Sequence, residues 1–465
     1  MRANVIRNVT LPDFSFTDTP PKVSKTDYEN RIEKLCSLNA AQRYTHIIVY
    51  GDREHFSNIH YLTGYDPRFE EALLIISKGK DPIMVVGCEG ISYLNISPVN
   101  LQGVLFHSFS LMGMPRQNAT QLKDIFRDAG IKKGCRIGLI GWKYFTGLEV
   151  DDPQKQIDLP YYIVRVLVDL VGADNVQNAT NLMMHPEYGL RIRLDWQDLV
   201  FHEIAGTKSS ERVKNVICNL KLGISEIEAS QYLTIDGDPL TAHVNVNFGA
   251  ERVLMGLASP GYERKLQIGD VINIALGYRY SMVARTGMYA RDEKDIPKSM
   301  KDIVQNFYMP YFTALANWYE SLKIGVTGGE VYNQVKETLG DLGKYGIELN
   351  PGHLTHSDEW TNTVFYPDSR IPISSGMAIQ CDIIAFPGEP YIGVHVEDGV
   401  VVADETLRSR FRLDAPNSWK RINTRKTFMK EILGINLAEE ILPVSNIQGV
   451  LFPYLGDPSL ILACS

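Results

Sequence analysis

The sequence predicts two folded units, an α/β domain followed by a larger α+β domain, and three observations carry the prediction. A chain of 465 residues exceeds what one hydrophobic core organises, since single cores stop growing at about 250–300 residues. Strand-like and helix-like segments alternate over residues 25–160, the pattern of a small α/β unit. Beyond residue 160 strand-like runs arrive as a block around two long helical stretches, which suits helices covering one side of a curved, mostly antiparallel sheet.

Residues 1–24 contain three prolines and little periodicity and read as an extended arm lying on a surface. From Lys25 the pattern turns helical, with Tyr28, Ile32, Leu35 and Leu38 three and four residues apart. The run 46–51 is a strand closed by glycine, 72–77 and 82–87 are two more, and 122–128 with 136–141 make a helix and a strand. A second unit is expected from 161, with helical patterns over 161–172 and 194–205. A third helix is expected to open at Gly206-Thr207-Lys208-Ser209-Ser210, capped by Ser209 or Ser210, with Val213, Val216, Ile217 and Leu220 on one face. Ser225-Glu226-Ile227-Glu228 fits the capping box of the next helix. Strands follow at 243–248, 271–275 and 280–284, then in two glycine-punctuated runs, 376–384 and 393–402, with helical stretches 301–322 and 328–339 between. The apolar tail 449–455 must pack on the chain's own body or on a second subunit. The expected divisions are an arm 1–24, a first domain 25–160, a second domain 161–415 and an extension 416–465.

Composition narrows the function classes. Apolar residues at 44% and charged residues at 22% describe an ordinary globular chain. A net charge of −8 without a Lys/Arg block argues against nucleic acid as a partner. No apolar run approaches the ~18 residues of a membrane span, and the first residues lack the apolar core of a secretory leader, so neither membrane nor export is expected. Six cysteines without CxxC spacing read as reduced thiols in the cytoplasm.

The chemistry concentrates in 350–360, Asn-Pro-Gly-His-Leu-Thr-His-Ser-Asp-Glu-Trp, read with Asp382 and Glu397 on the two late strands. One imidazole and two carboxylates delivered by strands, His353, Asp382 and Glu397, are the ingredients of a hydrolytic metal site or an acid/base pair. His243 and His356 are further imidazoles near the same elements, and Arg285 is placed to hold a substrate carboxylate.

These motifs resemble a known family. The helix from Tyr28 followed by Asn58-Ile59-His60-Tyr61-Leu62-Thr63-Gly64-Tyr65 is similar to the small N-terminal domain of the aminopeptidase P, prolidase and creatinase family, the M24 metallopeptidases. Leu266-Gln267-Ile268-Gly269-Asp270-Val271, Gly352-His353, Gly376-Met377 and Val396-Glu397-Asp398 resemble its C-terminal pita-bread domain. The resemblance spans residues 25–415 and implies the pita-bread fold and a peptidase-like hydrolase acting on a small peptide or amide. In active members five side chains, Asp, Asp, His, Glu and Glu, hold two metal ions. By motif the His falls on His353, the fourth ligand on Asp382 and the last on Glu397. The first Asp falls on Ala275, and the segment 280–286, where the second belongs, contains no carboxylate.

Three readings of the surviving residues stay open: a relic hydrogen-bonded network, a one-metal site holding Mn, Zn, Co or Fe on His353, Asp382 and Glu397, and metal-free acid/base cleavage of a C–N bond as in the creatinase branch. No resident cofactor is the first expectation. Three function classes follow: a hydrolase with its two-metal chemistry lost, a non-catalytic peptide-binding protein, and a structural protein with an empty cleft. The resemblance also implies a homodimer in which Arg68 and Phe69, after the Tyr-Leu-Thr-Gly-like motif, reach the partner's cleft.

Overall fold

The computed structural model describes residues 4–14 and 18–465. The chain divides into two compact units, Lys22–Ile192 and Met1–Pro21 with Arg193–Ser465. Among the described residues no helix is long and apolar enough to cross a membrane.

In the Lys22–Ile192 unit a six-stranded mixed sheet runs in the order Gln102–Leu105, Ile83–Val86, Ala72–Ser77, His46–Gly51, Ile137–Ile140, Val176–Asn178. Side chains alternate across each strand, so one sheet feeds two cores. Ile47, Val49, Leu74 and Ile76 pack with Leu35, Ile59 and Leu62 of the helices on one face. Ile48, Leu73 and Ile75 pack with Ile125, Phe126, Ile163 and Leu167 on the other. Sequence pattern predicts a boundary at 160, and the structure moves it beyond Ile192. The helix Tyr161–Val171 buries its stripe of Ile163, Leu167 and Val171 in the first sheet's core. Val176–Asn178 then joins that sheet as its edge, parallel to Ile137–Ile140.

The second unit is built on an antiparallel sheet whose strands we number β1 (Asn245–Phe248), β2 (Val271–Tyr278), β3 (Ser281–Met288), β4 (His353–Leu354), β5 (Ala378–Gly388), β6 (Ile392–Val402) and β7 (Ile441–Pro443). Their order is β4-β5-β6-β3-β2-β1, with β7 also paired to β6. Trp196–Asn219 is one continuous helix, capped by Asp195, and the break expected at Gly206 is absent. Gly206 sits mid-helix because a Cβ there would lie 2.6 Å from Val444 O, so glycine permits close packing rather than ending the helix. Ser209 and Ser210 therefore cap nothing. Ser209 Oγ donates to Ser281 O at 2.9 Å and accepts from Tyr278 N at 3.1 Å, tying the helix to the β2–β3 turn. Ser210 Oγ bonds back to Gly206 O. The capping box at Ser225 and Glu228 is present.

Residues 416–465 are part of this unit rather than an appendage. β7 pairs with β6, and Leu460–Cys464 pairs with Asn4–Asn8, so both ends of the chain meet in a two-stranded ladder. Val450, Leu451, Phe452 and Leu455 are buried against the chain's own body. Of the two partners open to the tail, the chain itself is the one that covers it.

Candidate active site

Strand register assembles the floor of the site. Asp382 on β5 faces Glu397 on β6, Glu397 faces Ala284 on β3, Ala284 faces Ala275 on β2, and Ala275 faces Asn245 on β1. Residues in register share one face of the sheet. Two positions along, the same face carries Ile384, His395, Thr286, Asn273 and Asn247. Next to the Asp382–Glu397 pair Tyr311 reaches the ladder, its hydroxyl donating to Ile383 O at 2.7 Å and accepting from Val396 N at 2.9 Å.

His353 arrives from β4, paired with Gln380. Gly352 precedes it at φ +139, where a Cβ would stand 2.7 Å from Gln380 O, so glycine lets the chain close on β5. The chain after β4 folds back through Leu354 N to Asn362 O and Thr361 N to Leu354 O, both short bonds. That return brings Glu359 to His353 and stacks Trp360 on the imidazole at 4.1 Å between ring centroids. His353 Nε2 lies 2.9 Å from Glu359 Oε1, 3.8 Å from Asp382 Oδ2 and 4.0 Å from Glu397 Oε1. His395 Nε2 lies 2.6 Å from Asp382 Oδ1 and 3.9 Å from Glu397 Oε2. His353, Asp382, His395 and Glu397 are buried, and Glu359 is partly exposed.

The electrostatics follow from crowding. Burial, then the charges of Asp382 and Glu359, push the Glu397 carboxyl well above the carboxylate range, against a smaller opposing pull from Arg285. Burial depresses the His353 imidazole, but the Glu359 and Asp382 charges outweigh it and raise its pKa. The groups His353–Glu359–Glu397 and Asp382–His395–Glu397 each hold three donor atoms within 4.8 Å of one another, with Glu397 common to both.

Of the residues singled out from sequence, His353, Asp382 and Glu397 come together here. Arg285 does not join them. It follows Ala284 and therefore leaves β3 on the opposite face, where its guanidinium donates to Asp398 Oδ2 at 2.7 Å, to Glu397 O at 3.0 Å and to Ile447 O. Both terminal nitrogens of that buried guanidinium are engaged within the chain, which leaves no fork for a substrate carboxylate. His356 also turns elsewhere, accepting from Ser357 N at 2.7 Å and standing near the rings of Tyr280 and His202. His243 is exposed ahead of β1, its Nε2 2.7 Å from Leu257 O. Asn245 already stands three strands from Glu397, roughly 14 Å at ~4.8 Å per strand, so His243 is outside the cluster. In the other unit Arg68 pairs with Asp66 at 3.0 Å, Phe69 is 81% exposed, and both line a cavity of about 440 Å³ with Tyr65, Glu89 and Tyr93.

Residues 202–404 match the model of metallopeptidase family M24. This segment is an M24 peptidase domain. A comparison with curated protein sequences gives no match. Among solved structures, an Xaa-Pro dipeptidase from Bacillus anthracis is similar at TM-score 0.61 and 17% identity, covering 81% of this chain and 96% of that one. Dipeptidase PepE from Mycobacterium ulcerans is similar at 0.63 and 18%, covering 82% and 95%. A prolidase from Pyrococcus furiosus is similar at 0.60 and 17%, covering 79% and 96%. At such identities the likeness establishes the fold, the pita-bread architecture of the M24 domain with its preceding α/β unit.

Two residues of the M24 domain's cluster escape sequence reasoning. His395 is legible in principle, because it precedes Glu397 by two on a strand and so must share its face. Glu359 has no such signal, since a loop's return path is set by its tertiary bonds.

Proposed function

We propose that this chain hydrolyses a C–N bond of a small peptide or amide at the His353–Glu359–Asp382–His395–Glu397 cluster, with the two-metal centre of the M24 peptidases incomplete. The observation that carries the reading is a convergence of two imidazoles and three carboxylates on one face of a pita-bread sheet. Ala275 stands where the family resemblance calls for the first aspartate, and 280–286, where the second belongs, contains no carboxylate; a methyl group has no lone pair for a metal. The family's pair of ions therefore lacks its donors on β2 and β3.

Hydrolysis of an amide needs a group that takes a proton from water and one that returns it to the departing nitrogen. Two contacts in the cluster are at hydrogen-bond spacing, His353 with Glu359 at 2.9 Å and His395 with Asp382 at 2.6 Å. Asp382 holds His395 through the 2.6 Å contact and fixes its ring, while Trp360 holds that of His353 by stacking. Glu397 lies between the two imidazoles, within 4.0 Å of each. A small peptide as substrate is supported by the likeness to dipeptidases and prolidases. Cytoplasmic residence is part of the reading, supported by six scattered cysteines without CxxC spacing. A homodimer is part of it too, resting on the family resemblance and on the exposed Arg68 and Phe69, because the tail and the arm are used within the chain.

The test is release of free amino acid from dipeptides, Xaa-Pro dipeptides among them, and of amine from simple amides. Turnover by the wild type and a loss of about 100-fold or more in kcat/KM for Glu397→Gln would support the reading. No turnover across the panel, with one of its members raising the melting temperature, would replace it with a peptide-binding protein. Sedimentation should give twice the 52.4 kDa chain mass, and a monomer would remove Arg68 and Phe69 from any shared site.

A further inference from the structure

We infer that the Lys22–Ile192 unit carries a binding site for a protonated primary amine, formed by the Glu70 carboxylate in the cavity that Tyr65, Phe69 and Tyr93 line. The inference goes beyond the hydrolase reading and does not rest on turnover.

Three observations point to it. The first is an acceptor left over. Glu70 is only 5% exposed, and its Oε2 accepts from Glu89 N at 3.0 Å and from Gly90 N at 3.1 Å. Its Oε1 is buried too and accepts from no donor among the described residues. A buried carboxylate oxygen without a donor is costly. The cavity of about 440 Å³ that Glu70 lines is where a donor fits, and its volume is that of a small-molecule site. Oε1 calls for an N–H, which a primary ammonium has and a quaternary one lacks.

The second is charge. Glu70 and Glu89 bring two carboxylates to the lining, and the guanidinium there, that of Arg68, is held by the buried Asp66 at 3.0 Å. Three carboxylates against one guanidinium favour a cationic ligand over an anionic one. The third is the wall. Tyr65 and Tyr93 stand 5.4 Å apart between ring centroids, and Phe69 is an exposed third ring. Aromatic rings attract an ammonium and cover its alkyl stem. Burial, then the Glu70 charge, raises the Tyr65 hydroxyl above its ordinary range, so that ring stays neutral. Two glycines make the room. A Cβ at Gly87 would collide with the Glu70 carboxyl, and one at Gly90 would stand 2.7 Å from the Tyr65 hydroxyl.

The experiment titrates the full-length protein at pH 7 with n-hexylammonium chloride, n-hexyltrimethylammonium chloride and sodium hexanoate by calorimetry, with saturation-transfer NMR for weak binding. Saturable binding of n-hexylammonium at about one per chain is expected. The quaternary ion, with no N–H for Oε1, should bind at least about tenfold more weakly, and hexanoate should not bind. Glu70→Gln should weaken the primary amine at least about tenfold. Phe69→Leu, at an exposed position, should weaken it about two- to fivefold with the melting temperature kept, and it carries the test alone if Glu70→Gln fails to fold. Three results overturn the inference: no amine binding, hexanoate bound as well as the amine, or amine binding that Phe69→Leu and a folded Glu70→Gln both leave unchanged. Glu70 is then a support for two backbone amides only. Sedimentation with and without the amine separates the sources of the cation. Dissociation of a dimer assigns the site to a Lys side chain of a second copy, and an unchanged mass assigns it to a free amine.

Discussion

Ala284 and Arg285 are sequence neighbours whose side chains leave β3 on opposite faces, as do those of Glu397 and Asp398 on β6. The first of each pair looks onto the site, and the second pair make a buried salt bridge at 2.7 Å that also gathers Gly449 N and Ile447 O from the C-terminal segment. Arg285→Ala should therefore cost stability rather than substrate affinity. Leaving Asp398 buried without its cation predicts a loss of about 3–5 kcal/mol, read as a lower urea midpoint. Unchanged stability with a raised KM would return Arg285 to the substrate. The same parity explains what was legible at this scale. His353, Asp382 and Glu397 could be found because short motifs carry them, and His395 by counting two. Arg285 is not part of that set, because its place one residue after Ala284 turns it to the opposite face of β3, and Glu359 lies in a loop with no period to count.

Elements were legible where local chemistry agrees with tertiary structure. The capping box at Ser225 and Glu228 and the strands around Asp382 and Glu397 belong to that class. The Trp196–Asn219 helix does not, because Gly206, Ser209 and Ser210 look like a helix boundary yet serve packing against β7's neighbour Val444 and the β2–β3 turn. Gly206→Ala separates the two explanations. Propensity alone predicts a gain of about 1 kcal/mol, but the new Cβ would stand 2.6 Å from Val444 O and 2.8 Å from Val444 Cγ2. Overpacking of this kind costs roughly 1–3 kcal/mol, so the variant should melt lower than the wild type, and a higher melting temperature would refute the packing account. Tyr311 serves β5 and β6 in a comparable way. Tyr311→Phe removes the hydroxyl that occupies both Ile383 O and Val396 N and should disturb the Asp382–Glu397 register, seen as lost turnover with secondary structure retained.

At the scale of the whole chain, the division into two units was legible and the position of the break was not, since the Tyr161–Val171 stripe shows that a helix is buried without showing in which core. Long-range ion pairs were equally hidden. Glu203 on the long helix accepts from Arg421 Nε at 2.9 Å and Arg425 Nη1 at 2.6 Å, and Arg421 also pairs with Asp18 of the N-terminal segment. Burial raises the Glu203 carboxyl, but the Arg425 charge and the Arg421 hydrogen bond outweigh it and hold it below the ordinary range. Its stabilisation is therefore complete above the unfolded-state pKa and is lost as pH falls through the lower folded value. Its neighbour His202 acts in a higher window. Burial among Tyr280 and His356 pushes that imidazole down to about 4, against smaller opposing pulls from the Asp198 and Thr355 backbone. The unfolded chain then binds the extra proton first, so stability falls as pH drops from about 6.5 toward 4, by about 3 kcal/mol at the acid end. Denaturant unfolding of the wild type should show both losses in succession. His202→Asn should flatten the upper one and keep the lower, whereas Glu203→Gln should lower stability at neutral pH, by leaving two buried guanidinium groups unbalanced, and narrow its gap to the wild type in acid. A wild-type profile that stays flat between pH 6.5 and 4, or a His202→Asn profile identical to it, would show that the buried imidazole is not what makes this unit acid-sensitive.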